Sequence, residues 1–343
     1  MTKRMKALKA AVAAAALAGM PLAYAAGAAG AAGAAGAAGS AGAGSYPDRP
    51  VRLVVPYAVG GATDVIARVA ARYLGETLGQ PVVVENRPGA GTVVAGALVA
   101  KAPPDGYTLL LGASTTLTLN PVIRNPLPYD PLRSFTPLGL VADMGLVLVA
   151  HNETPARTLP ELVALAKADP DKLSYGSFGT GSSVHFGGEM LKTATGMRMV
   201  HVPFNGSSPS LTALMGGQVQ VAVDTVVATT PLIKAGKIRP IAALGPQRLP
   251  LLPQVPTVAE SGYPGFAMDT WFAFLAPAGL PAPIQKKLEK ALADTMAEPA
   301  MKKKLVDIGL SPAWGPGSAL QERIERELPQ MRAVAARADI KVD

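Results

Sequence analysis

A pattern of short β-branched strands alternating with amphipathic helices occurs twice in this chain of 343 residues. In the first copy, the apolar run 51–55 precedes a helix expected over about 64–78, and the run 82–85 follows. In the second copy, the run 172–177 precedes another helix, and the run 199–203 follows. Strands that alternate with helices are typical of parallel α/β sheets. The pattern therefore predicts an α/β protein with two similar βαβαβ halves.

The two halves also agree in their spacing. Asn86 lies 22 residues after Asp64, and Asn205 lies 22 residues after Ser183. A long apolar stretch over 136–150 lies between the halves and is expected to carry the chain from one to the other. We therefore expect two lobes joined by a hinge, each a mostly parallel sheet flanked by helices. The first lobe is predicted to comprise 46–141 and 245–343, and the second lobe 142–244.

Each half has a loop rich in glycine and hydroxyl side chains after its first strand. The loop 57–64 has the sequence YAVGGATD, and the loop 178–185 has the sequence FGTGSSVH. Glycines allow the backbone to approach a ligand closely, and the free N–H groups at a helix start attract anions. Because ligands of open parallel sheets bind outside the carboxyl ends of the strands, the two loops are expected to face each other across a cleft. An ordinary βα turn with a capping residue is the alternative for either loop alone.

The first 45 residues have the composition of an export signal followed by a tether. Four basic residues lie within the first nine positions, an apolar stretch over 10–22 follows, and Ala-Tyr-Ala at 23–25 forms a cleavage signal. We expect a signal peptide over 1–25, cleaved near Ala25, and a flexible Ala/Gly-rich linker over 26–45. The chain contains no cysteine, so no disulfide framework and no lipoprotein anchor are expected.

The formal net charge of +8 falls to +4 without the four basic residues of the signal peptide. The remaining Lys and Arg residues are scattered and aromatic residues make up only 5% of the chain, so a nucleic-acid partner is not expected. The histidines, His151, His185 and His201, lie far apart in the sequence. We therefore predict no metal site. We also expect no cofactor and a monomeric protein.

Longer motifs show a resemblance to a known family. They are YPDRPVRLVVPY over 46–57, GGATD over 60–64, VVENRPGAG over 83–91, PDGYT over 104–108, YGSFGTGSSVH over 175–185, HVPFNG over 201–206 and VPTVAESG over 255–262. The chain from Tyr46 onward strongly resembles tripartite tricarboxylate transporter receptors, the Bug family of periplasmic solute-binding proteins. The resemblance implies a periplasmic protein with a two-lobed, type II periplasmic-binding-protein-like fold. It also implies binding of a small carboxylate (a di- or tricarboxylate, an amino acid or an aromatic acid) between the lobes and its delivery to a membrane permease of the tripartite tricarboxylate transporter.

The resemblance further implies which residues contact the ligand. In this family, backbone N–H groups and water at facing βα loops hold most of the carboxylate. That agrees with the loops of this chain, where Arg87 is the one basic residue at a loop apex. The matching positions are Tyr57, Val59, Gly60, Gly61, Thr63 and Asp64 in the first loop, Thr180, Gly181, Ser182, Ser183 and His185 in the second, and Ser114, Asn205 and Asp224 at the ends of neighbouring strands.

Three of these residues have structural alternatives. Asp64 is equally explained as a helix cap and His185 as a hydrogen-bonding residue of the fold. Asp224 is either a cleft residue that accepts an ammonium or hydroxyl group of the ligand, or a strand-end cap that points away.

Two other function classes remain open. A serine hydrolase would need Ser177, Ser182 or Ser183 with His185 and Asp224, yet no G-x-S-x-G motif surrounds these serines. Ser183 and His185 are also two positions apart at a helix start, where side chains do not face each other. A receptor that signals to a membrane sensor, instead of supplying a permease, would have the same binding-protein sequence.

Overall fold

Each half of the sheet contains three parallel strands. In this computed structural model, which describes residues 46–169 and 172–342, β1 (Val51–Val55) pairs with β2 (Val82–Asn86) and with β3 (Thr108–Ala113). In the same way, β5 (Ser174–Ser177) pairs with β6 (Val200–Pro203) and with β7 (Val221–Thr225). All residues of β3 are buried, as expected for a strand covered on both faces. The predicted α/β architecture is confirmed, whereas the signal peptide and linker predicted for 1–45 lie outside the described residues.

One long strand, β4 (Phe135–Ala150), belongs to both halves. Residues 135–145 pair antiparallel with β9 (Asp269–Pro277), and part of this stretch also pairs with β10 (Ser311–Pro316). Residues 146–150 pair antiparallel with β7, and β8 (Arg239–Ala243) pairs with the same end of β4. Since β9 also pairs with β3, the strand order is β2-β1-β3-β9-β4-β7-β5-β6. Each half is therefore a mixed sheet, with antiparallel strands where the halves join.

Helices follow most of the parallel strands and cover the sheet. They are α1 (Ala62–Leu78), α2 (Val93–Ala100), α5 (Ser183–Thr195), α6 (Ser207–Met215) and α7 (Val226–Lys234). A 3₁₀ turn (Ala90–Thr92), a π-helical turn (Thr115–Leu119) and the short α3 (Asn120–Ile123) lie after β2 and β3. The remaining helices are α4 (Leu159–Ala168), α8 (Ala282–Ala297), α9 (Pro299–Asp307) and α10 (Gly317–Arg337). Of the helices in the described ranges, none is long and apolar enough to cross a bilayer.

The helix α1 shows how sequence sets these elements. Ile66, Ala70 and Leu74 recur at helical spacing and are buried, so they form the stripe that packs on the sheet. The helix ends at Gly79, whose φ of +73° is the left-handed conformation that glycine adopts without a steric penalty. The start of α1 is thereby held at the carboxyl end of β1.

Apolar packing links the second half of the sheet to segments that precede and follow it in the chain. The cluster around Leu148 and Phe186 also contains Leu119 and Ile123, together with Met331, Ala335 and Ile340. A second cluster includes Leu249, Leu252 and Val255 from the segment before β9. The described residues accordingly belong to one compact unit. The limits of the two lobes stay a prediction.

A partly buried ion cluster lies where β4 and β9 run between the halves. Arg323 of α10 donates at 2.7 Å to one oxygen of each of three carboxylates, those of Asp143, Asp269 and Glu327. The Trp271 indole N–H donates to Glu327 at 2.8 Å. Burial raises the pKa of Asp269, although the Arg323 guanidinium acts in the opposite direction. A single arginine thus ties the C-terminal helix to both central strands.

Candidate functional site

The two predicted loops meet at one cavity of about 700 Å³. Residues at or after the carboxyl ends of β1, β2, β3, β5, β6 and β7 line it, together with Met144 of β4 and Thr270 and Phe272 of β9. Half of the predicted site residues are in this lining, namely Tyr57, Gly61, Thr63, Thr180, Gly181, Ser182 and Ser183. The structure thus brings these seven together, and their contact with a ligand stays a prediction.

The helices α1 and α5 both begin at the cavity. Gly61 precedes α1 with an extended backbone and provides no side chain to cap the helix. Ser182 precedes α5, and its Oγ accepts from the His185 N–H at 3.3 Å and donates to the Gly179 carbonyl at 2.6 Å. Because a helix start has unpaired N–H groups and a partial positive charge, two anion-binding ends converge on one cavity.

Asp64 lies beneath the first loop and does not line the cavity. Its Oδ2 accepts from the Gly60 N–H at 3.0 Å and from Arg68 Nε at 2.9 Å, and its Oδ1 accepts from Asn86 Nδ2 at 3.0 Å. The hydrogen bond from Arg68, followed by those from Gly60 and Asn86, lowers the pKa of Asp64 to about 2 despite burial. Asp64 is therefore an anion that ties β2 to α1 and fixes the loop.

His185 has a similar supporting position behind the second loop. Its Nδ1 accepts from the Gly181 N–H at 3.1 Å, and its ring stacks on His201 with the centroids 3.8 Å apart. Burial, with a contribution from the Lys192 ammonium, lowers the pKa of His185 to about 4. The neutral imidazole can accept this hydrogen bond, whereas a protonated ring cannot.

Asp224 is fully buried at the end of β7 and is also absent from the cavity lining. It accepts from Ser207 Oγ at 2.8 Å and from the Thr225 N–H at 2.7 Å. Burial raises the pKa of Asp224, and these hydrogen bonds act in the opposite direction. Ser207 and Thr225 do line the cavity, so Asp224 positions two lining residues instead of facing the cavity itself.

Four further predicted residues lie away from the lining. Val59 and Gly60 are exposed at the tip of the first loop, and Asn205 is exposed after β6. Ser114 is buried, and its Oγ is 2.7 Å from Oγ1 of Thr270, which is a lining residue. A direct ligand contact by any of the four would require these side chains or loops to move, and it stays a prediction.

The lining also contains residues that were not predicted. Asn120 donates to the Gly91 carbonyl at 2.7 Å and to Thr92 Oγ1 at 3.1 Å, and Arg124 Nε donates to Asn120 Oδ1 at 3.2 Å. Arg87, the basic residue that the loop sequences offered, is exposed and pairs with Glu85. The polar segment after β3 is the sequence signal that could have indicated these residues. The end of β3 lies at the same sheet edge as the end of β1, so the segment lies beside the first loop.

A serine–histidine hydrogen bond does occur, but away from the cavity. Ser177 Oγ lies 2.7 Å from His201 Nε2. Ser177 is fully buried and does not line the cavity, so a substrate bound there could not reach its hydroxyl. Its Oγ also accepts from the Gly179 N–H at 3.2 Å, which makes it a brace for the second loop.

Comparisons with known proteins identify the family of the chain. The model of the tripartite tricarboxylate transporter family receptor matches residues 66–337. A UPF0065 protein of Bordetella pertussis is 39% identical over 297 residues, which cover 84% of this chain and 91% of that protein. The structure of R. palustris Rpa4515 with adipate is 36% identical, with a TM-score of 0.75, and covers 86% of this chain and 99% of that one. The structure of MatC (Rpa3494) from Rhodopseudomonas palustris with bound malate is 33% identical, with a TM-score of 0.70. The match covers 84% of this chain and 99% of that one. The chain therefore belongs to the tripartite tricarboxylate transporter receptor family, as its motifs predicted.

Proposed function

We propose that this protein is an exported receptor that binds a small carboxylate in the 700 Å³ cavity and delivers it to a membrane permease. The observation that carries the proposal is the convergence of two helix starts, those of α1 and α5, on a lining that contains no Asp or Glu among the described residues. Each helix start contributes roughly 0.3–1 kcal/mol to the binding of an anion, and more where water is excluded.

The relatives support the same ligand chemistry. Adipate and malate are both dicarboxylates, and each is bound by a similar receptor. BugD, a periplasmic binding protein, has the same fold at 36% identity, which supports the periplasm as the location after cleavage near Ala25. We expect a monomer whose two lobes close on the ligand by bending at β4 and β9, so that both helix starts contact one carboxylate.

A ligand panel tests the binding step. Adipate, malate, citrate, glutamate and benzoate are titrated by calorimetry and thermal denaturation, and each acid is matched with its amide. A carboxylate at about 100 times its Kd should add about 2.7 kcal/mol of stability, and the uncharged amide should add almost none. If no acid raises the melting temperature, or if amides bind as well as acids, the proposal is wrong.

A pair of variants tests the position of the site. Gly61→Val places a side chain at the start of α1. The backbone of Gly61 is extended, so it accepts a side chain without strain. An added Cβ would lie no closer than 3.8 Å to its nearest neighbour, the Ala58 carbonyl oxygen. The variant should fold and lose most of its affinity. Val83→Ser on the exposed face of β2 is the matched control and should bind normally. Equal affinities would remove the start of α1 from the site.

Delivery is tested in cells. Uptake of the radiolabelled ligand should require both this protein and the permease subunits. Uptake that is unchanged without this protein, combined with ligand-dependent activation of a membrane sensor, would identify a signalling receptor instead.

A further inference from the structure

Arg124 is the single charged side chain of the cavity lining, within the ranges 46–169 and 172–342. The other lining residues contribute glycine backbone, hydroxyl and amide groups, and apolar side chains. A guanidinium remains protonated at any physiological pH. One wall of the cavity therefore has a full positive charge, in addition to the partial charges at the helix starts.

Asn120 fixes the position of this charge. Arg124 Nε is hydrogen-bonded to Asn120 Oδ1, and the Asn120 amide is anchored on Gly91 and Thr92. Arg124 forms no ion pair with a carboxylate of the described chain, although its side chain is half-buried. Its Nη groups are therefore available to a ligand, and Gly91, which has no side chain, leaves space beside Nη2. The two Nη groups of a guanidinium form a planar fork of N–H donors, which can bind both oxygens of one carboxylate.

Apolar side chains form much of the remaining lining. Met144, Phe178, Val227 and Phe272 are among them. A ligand body that is apolar gains free energy from contact with these side chains, whereas hydroxyl groups placed against them lose hydrogen bonds to water. The lining therefore favours hydrocarbon between the charged ends of a ligand.

We infer that Arg124 binds a second acidic group and selects a dianion whose two carboxylates are separated by an apolar spacer, aliphatic or aromatic. The inference rests on the proposed function, in which the starts of α1 and α5 hold the first carboxylate. Helix starts bind any carboxylate and cannot by themselves distinguish a monoanion from a dianion. The arginine supplies that distinction, and it makes Arg124 a specificity-determining residue.

The test compares ligands that differ by one feature. Hexanoate and adipate differ in the second carboxylate, as do benzoate and terephthalate, and galactarate is an adipate with four hydroxyl groups. Calorimetry measures all five with the unaltered protein, Arg124→Gln and Arg124→Lys. Each dianion should bind about 10- to 100-fold more tightly than its monoanion, the range of a hydrogen bond to a charged group. Adipate should also bind more tightly than galactarate.

The variants separate selection from structural support. Arg124→Gln should bind the two monoanions within about threefold of the unaltered protein and should lose the preference for dianions. Arg124→Lys should keep part of the preference, because an ammonium retains the charge without the fork. Loss of all five ligands in Arg124→Gln, or equal binding of monoanions and dianions by the unaltered protein, overturns the inference and leaves the carboxylate receptor intact. Absence of any binding by the unaltered protein overturns the proposed function itself.

Discussion

Acidification should destabilise this protein through a histidine stack behind the second loop. The ring centroids of His185 and His201 are 3.8 Å apart, and the Tyr175 ring also stacks on His201, with the centroids 4.9 Å apart. Burial and the neighbouring His185 ring lower the pKa of His201 to about 4, and the pKa of His185 is also lowered to about 4. The other charged groups near the stack are Glu189, which accepts from the Tyr175 hydroxyl, and Lys192, which pairs with Glu189.

The sign and the size follow from linkage. A histidine of the unfolded chain has a pKa of 6.5, above the folded value, so each stacked histidine is fully stabilising above pH 6.5. This stabilisation is lost as the pH falls from 6.5 to about 4. At 1.36 kcal/mol per pKa unit, a shift from 6.5 to about 4 corresponds to about 3 kcal/mol, a large share of a typical free energy of unfolding. The contributions of the two rings do not add in full, because part of the His201 shift comes from the neighbouring His185.

Chemical unfolding between pH 7.5 and 4.5 measures this loss, and the imidazole resonances in NMR spectra report the two rings directly. His201→Gln should flatten the pH dependence, whereas His151→Gln, at a partly exposed position, should not. Comparing variants also removes the opposite contribution of Asp269, whose pKa burial raises. Titration of both stacked rings near pH 6.5, or identical slopes in the two variants, would refute the argument.

Two further predictions concern packing and charge. Arg323→Met should lower the free energy of unfolding by about 3–5 kcal/mol, measured by denaturant unfolding, because it leaves three carboxylates together without their cation; a loss below 1 kcal/mol would contradict this. Gly188→Ala places a Cβ 2.3 Å from the Tyr175 ring and should lower the free energy of unfolding by about 1–3 kcal/mol in the same assay. An unchanged free energy of unfolding would show that α5 does not pack tightly on Tyr175.

The alternation of strands and helices was predictable because its signals are local. The periodicity of α1 and the β-branched run of β1 each lie within one element. β10 was not predicted, because its sequence SPAWGP contains two prolines, which are unfavourable inside a strand. The strand pairs with β4 alone, and a bulge interrupts the pairing. Strand periodicity alone fixes neither the number of antiparallel strands nor the role of β4 in both halves.

The site was only partly predictable for a related reason. The loop residues Gly61 and Ser182 were found because glycine and hydroxyl residues before a helix have a local meaning. Arg124 was missed because its place depends on the π-helical turn after β3, which brings Asn120 to Gly91, 29 residues away in sequence. For Asp224, the residue type alone does not tell whether the side chain faces the cleft or the interior. Its interior position depends on the hydrogen bond from Ser207, which is distant in the sequence.

The shared strand β4 has a consequence for how new specificities can arise in this fold. Since one strand is hydrogen-bonded into both halves of the sheet, neither half can be exchanged between relatives as a self-contained cassette without breaking a ladder. Loops at the sheet edge carry no such constraint. Changes in ligand preference should therefore accumulate in short segments such as 120–125, while the pairing of β4 with its neighbouring strands is retained.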